Sequence, residues 1–489
     1  MSIKIYIDNH SFHYEMENLT RVFFPNEKLE VLRGERPNET ESLCLITSKT
    51  AEGVECALIT DKYSSKLEKS LQPDTPEDEQ EREMAILLYR LLSEYTGLTP
   101  LWGILTGVRP IKLFRRLRET MGEEGAKEYF KQKLLVSEEK TALSTLTERN
   151  ERLILNTSTP DSFSLYVSIP FCPSRCSYCS FVSQSVEKSF KLIEPYVELL
   201  CREIEYTGQI ARNLGLRLQT VYIGGGTPTT LSPMQLDMVM SAINRSFDMT
   251  NCREYTVEAG RPDTVTQEKL KVIKQNGADR ISINPQTLND EILKAIGRRH
   301  TSEEFFAAYD IAVKSGFDHI NTDLIAGLPG ESADSFASTL NKIVELDPKS
   351  ITVHTLSMKR SSNLTQQGAE LLRRDFETAE QMHRFCSELL PKNGYEPYYL
   401  YRQSRMVGNL ENVGWSKKGS EGLYNVFIMD ETHSILGCGA GATTKLRQPN
   451  GSYIERIFNY KYSYEYLKGF DEMLKRKDRI GSFYDEYGF

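Results

Sequence analysis

The 489-residue chain contains no apolar run approaching the roughly 20 residues that a membrane-spanning helix requires, so no membrane span is expected. Its first residues, Met1-Ser2-Ile3-Lys4-Ile5-Tyr6-Ile7, read as a strand and lack the apolar stretch and small-residue cleavage site of a secretory signal. There is no surplus of positive charge: 60 Lys and Arg against 68 Asp and Glu leave a formal net charge of −8, which argues against bulk nucleic-acid binding. A disulfide framework is equally absent, since the 9 cysteines are odd in number and scattered over a long chain. No repeat of fixed period and no long low-complexity tract is found. What these absences leave is a cytoplasmic enzyme, expected to be a monomer. The length suggests about three structural units and suffices to bury a core without disulfide or metal staples.

The middle of the chain alternates two periodicities. β-branched apolar runs at Phe163–Ile169, Thr220–Gly224, Tyr255–Ala259, Arg280–Asn284, His319–Ile325 and Ser350–His354 read as strands. Between them lie the amphipathic stretches Val186–Leu214, Pro233–Ser246, Thr266–Asn276, Ser302–Ser315 and Ser332–Leu346. Ser232-Pro233 is a helix start, and Asn276-Gly277 and Ser315-Gly316 are helix stops. Six strands each followed by a helix predict a parallel sheet with right-handed crossovers. The unit is shorter than the ~250 residues of a closed eight-fold barrel, which predicts an open partial (β/α)6 barrel of the α/β class over 156–371. Residues 1–155 read as a small α+β domain: Ile3–Ile7, Ser42–Ile46 and Glu55–Ile59 are strand-like, and a long helix, Glu79–Tyr95, stops near Gly97. Residues 72–82, acidic and Pro-containing, read as a surface loop running into a helix, and 361–367 as another loop. Residues 372–489 form a C-terminal α+β extension that would cover substrate, with a helix to Leu390, a tyrosine-rich run Tyr395–Arg402 and a glycine-rich segment.

Three cysteines fall within eight residues, in Ile169-Pro-Phe-Cys172-Pro-Ser-Arg-Cys176-Ser-Tyr-Cys179, directly after the first barrel strand. That is the end of the barrel where such folds place their sites. Spacings of x3 and x2 cannot line one face of a straight helix, but a loop wrapped around a compact cluster presents them naturally. Structural zinc wants four ligands, usually as two separated pairs, and no further Cys or His lies close by in sequence. Three thiolates on a four-iron cluster leave one iron open, and an open iron can take a cosubstrate where four-cysteine ligation serves plain electron transfer.

The motif resembles the signature of the radical S-adenosylmethionine (SAM) superfamily. The wider match, from Tyr166 to about Leu446, resembles the oxygen-independent coproporphyrinogen III oxidase family. The matching phrases are Tyr166-Val-Ser-Ile-Pro-Phe-Cys172, Gly224-Gly-Gly-Thr-Pro-Thr229, Asn321-Thr-Asp-Leu-Ile-Ala-Gly-Leu-Pro329 and Gly437-Cys-Gly439. Leu105-Thr-Gly-Val-Arg-Pro110 and Gly408-Asn-Leu-Glu-Asn-Val-Gly414 point to the HemZ-type branch of that family. The resemblance implies a [4Fe–4S] cluster on Cys172, Cys176 and Cys179, with SAM on the open iron cleaved to a 5′-deoxyadenosyl radical. Gly225, Gly226 and Thr227 would let the backbone approach the methionyl end. Glu258, Gln286, Arg298 and Asp323 match SAM-contact positions; read alone, each could equally be a salt bridge or hydrogen bond at the barrel rim. Tyr166 and Tyr178 would shield the cluster or pack on the cofactor, core packing being the alternative for Tyr166. Thr355 and Thr443 align loosely with further contacts, to the same SAM molecule or to a second.

The implied reaction is oxidative decarboxylation of coproporphyrinogen III to protoporphyrinogen IX in haem biosynthesis, with an electron donor such as flavodoxin or ferredoxin. The alternatives are a haem-binding or haem-transfer protein on the same scaffold, and a radical reaction on another tetrapyrrole. The best-known family members carry a further cysteine where this chain has Phe181, and relatives without it include haem-trafficking proteins. Arg109, Lys112, Arg115, Arg116 and Arg118 would receive tetrapyrrole propionates or form a solvated helix face. Cys201 reads as packed within a helix. Cys44, Cys56, Cys252 and Cys386 carry no motif, and the glycines around Cys438 predict close backbone approach to a ligand or another strand.

Overall fold

Two sheets organise the chain. The computed structural model describes residues 2–25, 27–34, 43–357, 369–403 and 406–488; the loop expected at 361–367 lies outside them. The first sheet has the order β2-β1-β3-β4-β5, from β1 (Ser2–Asp8), β2 (Lys28–Arg33), β3 (Cys44–Lys49), β4 (Gly53–Ile59) and β5 (Ser64–Ser70). In β4, Val54, Cys56 and Leu58 alternate inward. The helices α1 (His13–Phe23) and α2 (Glu77–Thr96) pack on that apolar face, Met16 and Leu19 from one and Met84, Leu88, Leu91 and Leu92 from the other. Gly97, left-handed at φ 70°, stops α2.

Two more helices, α3 (Pro110–Lys133) and α4 (Glu138–Leu155), pack against each other. Their Ile111, Phe114, Phe130 and Leu143 sit in the same apolar core as the strands that follow.

The second sheet starts at β6 (Ser162–Ile169). A two-residue ladder of β7 (Phe171–Cys172) with β8 (Gln184–Ser185) follows, then α5 (Val186–Asn213), β9 (Arg217–Gly225), α6 (Pro233–Ser246), β10 (Glu254–Glu258) and α7 (Gln267–Gln275). Next come β11 (Arg280–Ser282), α8 (Asp290–Ala295), α9 (Ser302–Lys314), β12 (His319–Ala326), α10 (Ala333–Glu345) and β13 (Ser350–Thr355). The six expected strands pair in order and in parallel, as β6-β9-β10-β11-β12-β13. The helix ends lie where their cap residues put them. Ser232 and Gln235 form a reciprocal capping box, and Gly277 and Gly316 take positive φ.

The C-terminal segment carries α11 (Ala369–Lys392), β14 (Tyr395–Tyr401), β15 (Asn412–Lys417), α12 (Leu423–Asp430), β16 (Ser434–Cys438), β17 (Thr443–Arg447), β18 (Ile454–Phe458), α13 (Ser463–Lys468) and α14 (Phe470–Tyr487). It enters the same sheet at both edges. β15 pairs antiparallel with β13, followed by β14. On the far side β16 pairs parallel with β6, adding a seventh parallel strand, and β17 and β18 continue the sheet. The result is eleven strands from β14 to β18, open at both ends among the described residues. The close approach expected near Cys438 is to a strand: a side chain on Gly439 would meet the Ser168 carbonyl at 2.5 Å. Lys477 and Glu203, both fully buried, form an ion pair 2.9 Å apart that pins α14 to α5 beside this turn.

The basic run of α3 corrects both of its readings. Arg109 pairs with Glu431 at 2.5 Å, Arg115 with Glu151 at 2.7 Å and with Asp430, and Arg118 with Glu148 at 3.0 Å. Lys112 donates to the Asp430 carbonyl, and Arg116 alone of the run is exposed. These charges weld the helices before β6 to the C-terminal segment.

Candidate active site at the cysteine loop

Ile169 ends β6 and Pro170 follows, so the chain leaves the sheet as the cysteines begin. The ladder Phe171↔Gln184, Cys172↔Ser185 closes the excursion at its base. Its tip docks on the segment after α8: the Ser177 amide donates to the Ile296 carbonyl at 3.0 Å, and the Ser174 hydroxyl to the Gly297 carbonyl at 3.1 Å. Gly226 lies directly against the loop. A β-carbon there would sit 2.6 Å from the Phe171 carbonyl oxygen and 2.9 Å from that of Ile169, so only glycine fits. The Gly226 and Thr227 amides donate to those same two carbonyls, at 2.7 and 2.8 Å.

All three cysteines are free and half-buried. Burial raises the Cys172 thiol and pushes that of Cys179 up to about 11. Metal binding must therefore displace protons. Two donors already point at sulfur: the Thr227 hydroxyl is 3.5 Å from Cys172 Sγ, and Arg261 Nη1 is 3.7 Å from Cys176 Sγ. Asp263 holds that guanidinium through two 3.0 Å bonds. Donors aimed at sulfur suit a charged cluster, whose potential depends on such hydrogen bonds. Among the described residues no three Cys, His, Asp or Glu side chains are grouped to hold a single ion. A cluster makes no such demand, because each thiolate binds a different iron.

The loop forms one wall of a cavity of about 630 Å³. Every one of the fourteen residues singled out from the sequence lines it. Glu258, at the end of β10, accepts a 2.5 Å hydrogen bond from the Tyr222 hydroxyl. Burial, reinforced by Asp323, lifts its carboxyl to about 7 against the pull of Tyr222. Asp323 accepts from Asn321 at 2.7 Å, and His354 stands 3.6 Å from its other oxygen. Arg298 donates to the Tyr178 hydroxyl at 3.2 Å and to the carbonyls of Gly260 and Asn284 at 3.2 and 2.6 Å. Gln286 takes positive φ, 68°, and its buried Oε1 has no hydrogen-bond partner among the described residues. A carbonyl oxygen held without a donor beside a cavity is an acceptor awaiting a ligand. Thr443 opens β17, whereas the Thr355 hydroxyl already donates to the Glu411 carbonyl at 2.6 Å and meets His383 at 2.7 Å.

Sequence reasoning overlooked Arg261, Tyr222, His354, Tyr399, Tyr401 and Tyr424, all of which line the same cavity. Tyr399 and Tyr401 sit two apart on β14, so one face presents both; the tyrosine-rich run was the signal. Tyr166, Tyr222 and Tyr424 stack with ring planes 14–23° apart and centroids 4.5–6.3 Å apart.

Residues 166–343 match the Radical SAM superfamily. Over 495 aligned residues, 98% of each chain, the sequence is 36% identical to the oxygen-independent coproporphyrinogen-III oxidase-like protein HemZ of Bacillus subtilis (strain 168). The chain belongs to this radical SAM family. The family's cofactors are a [4Fe–4S] cluster and SAM, and the cysteine loop with its sulfur-directed donors fits them. This family member is also 31% identical over 320 residues to the haem chaperone HemW of Lactococcus lactis subsp. lactis (strain IL1403), covering 65% of the present chain and 79% of that one. The solved coproporphyrinogen III oxidase HemN of Escherichia coli shares the fold, with TM-score 0.51 and 22% identity over 66% of this chain and 72% of that one. No helix among the described residues is long and apolar enough to cross a membrane.

Proposed function

We propose that the chain catalyses the oxygen-independent oxidative decarboxylation of coproporphyrinogen III to protoporphyrinogen IX. The observation that carries this reading is the near-parallel stack of Tyr166, Tyr222 and Tyr424 in the same cavity as the cysteine loop. Flat rings offer offset stacking to a flat pyrrole. Cys172, Cys176 and Cys179 hold the cluster, which when bound supplies the electron that cleaves SAM. Around it Glu258, Gln286 and Asp323 offer carboxylate and amide oxygens to the ammonium and hydroxyls of SAM, and the Arg298 guanidinium offers donors to its carboxylate. Gly225 and Gly226 let the backbone close on its methionyl end. Anaerobic protein given reductant, SAM and coproporphyrinogen III yields a product lighter by two carbon dioxides and four hydrogens, the hydrogens and electrons being taken up as SAM is split to methionine and 5′-deoxyadenosine; unchanged substrate after SAM has been consumed defeats the reading.

A second reading rests on Phe181, which is 64% exposed and lines the cavity where well-known relatives carry cysteine. It makes the protein a haem carrier, and tight haem binding with no decarboxylated product would establish it.

Replacing Asp323 separates SAM binding from cluster binding. Asp323→Ala keeps the iron content and visible absorbance but weakens SAM by about tenfold, the loss of one charge-assisted contact. Equilibrium dialysis with labelled SAM measures it, and an unchanged affinity makes Asp323 a partner of Asn321 and His354 only.

A further inference from the structure

Among the described residues, three strongly basic side chains line the cavity: Arg261, Arg298 and Lys445. Two are occupied. Arg261 serves Asp263, Ser174 and Cys176, and Arg298 serves Tyr178 and two backbone carbonyls. Lys445 stands apart. It lies on β17, two residues after Thr443, on the face that fronts the cavity. Its neighbour Glu431 is already taken, Oε2 by Arg109 at 2.5 Å and Oε1 by Arg456 at 3.1 Å. The Lys445 ammonium is 3.6 Å from Oε1, beyond hydrogen-bond length.

The local charge is unbalanced. Lys445 and Arg456 are directly opposed in the β17–β18 ladder, where like charges repel. With Arg109, three cations surround one carboxylate. The half-buried ammonium has only this long ion pair to a carboxylate that two arginines already share, so a second anion is stabilising there. Burial accordingly lowers the Lys445 pKa, despite the opposing pull of Glu431.

We propose that Lys445 is the carboxylate anchor of this cavity, the residue that receives a propionate of the tetrapyrrole at the β17–β18 edge. The inference rests on the tetrapyrrole reading above and adds to it the group that recognises the substrate's negative charge. Arg109 and Arg456 are positioning residues: they hold Glu431 from the far side, so that it offsets part of the positive charge without capturing the ammonium.

The test uses the full-length, anaerobically prepared protein, titrated with coproporphyrin III and followed by porphyrin fluorescence. Lys445→Gln weakens binding by about tenfold or more, the effect of one lost charge-assisted contact, while its melting temperature stays within a few degrees of the parent's. Lys445→Arg, which keeps the charge, restores binding to within about threefold of the parent. Lys445→Gln binding as tightly as the parent, or a parent that does not bind coproporphyrin at all, overturns the anchor. The anchor and the decarboxylation fail separately: a Lys445-dependent affinity with no decarboxylated product removes only the latter.

Discussion

Cys176→Ser leaves the purified protein without its iron–sulfur absorbance and lowers SAM cleavage by more than about 100-fold. The magnitude has a floor, because losing only an outer hydrogen-bond partner of a metal ligand already costs 10–100-fold in affinity. A serine hydroxyl is a poor substitute for a soft thiolate at iron. Cys176 is also the sulfur that Arg261 addresses from 3.7 Å. In the variant that guanidinium still has Asp263 and Ser174 to hold it, so the loop keeps its shape and the loss is chemical. Iron per chain, the visible spectrum, and methionine with 5′-deoxyadenosine after dithionite reduction are the three readouts. A variant that keeps all three at the parent's level would remove Cys176 from the ligand set.

Glu411→Gln lowers unfolding stability by about 3 kcal/mol at neutral pH. Glu411 and Lys140 are both fully buried and 2.8 Å apart. Trp102 Nε1 donates to the same carboxylate at 2.7 Å, and His383 lies 3.4 Å from it. Removing one partner of a buried pair costs about 3–5 kcal/mol, because the other charge is stranded. The lower end applies here because Glu139 stays 3.3 Å from the ammonium. Burial by itself would raise the Glu411 carboxyl, but Lys140 and His383 prevail and hold it well below the ordinary range. A depressed folded-state pKa means that the contribution is complete above the unfolded-state value of about 4.3 and fades as the pH falls below it. The gap between parent and variant is therefore widest near pH 7 and narrows below about pH 4. Urea unfolding at both pH values measures it, and a gap that does not change with pH contradicts the ion-pair account.

The barrel was legible because its strands are buried on both faces and read as apolar runs between amphipathic helices. Caps such as Ser232 and stops such as Gly277 act within a few residues, so their signals are local. The cysteine loop, the glycines at 225–226 and Asp323 announced themselves by chemistry out of place. Other features had no local signal. β2 and β5 are edge strands with polar, solvent-facing residues, and periodicity does not mark them. α3 and α4 are rich in charge, and the acids that neutralise Arg109 and Arg115 include Glu431 and Asp430, hundreds of residues away. Arg261 follows β10 and His354 lies near the end of β13 as ordinary rim residues do, and only the third dimension brings one to a sulfur and the other to Asp323. The tyrosines of 395–402 stood out only as a rich run, whereas their alternation along β14 was the informative part.

The pairing of β16 with β6 sets a schedule. The strand that leads into the cysteine loop is made well before the neighbour that flanks it, Ser434 pairing opposite Phe163. Contacts so distant along the chain form late. The wall around the cysteines is thus closed by a segment far along the chain from them.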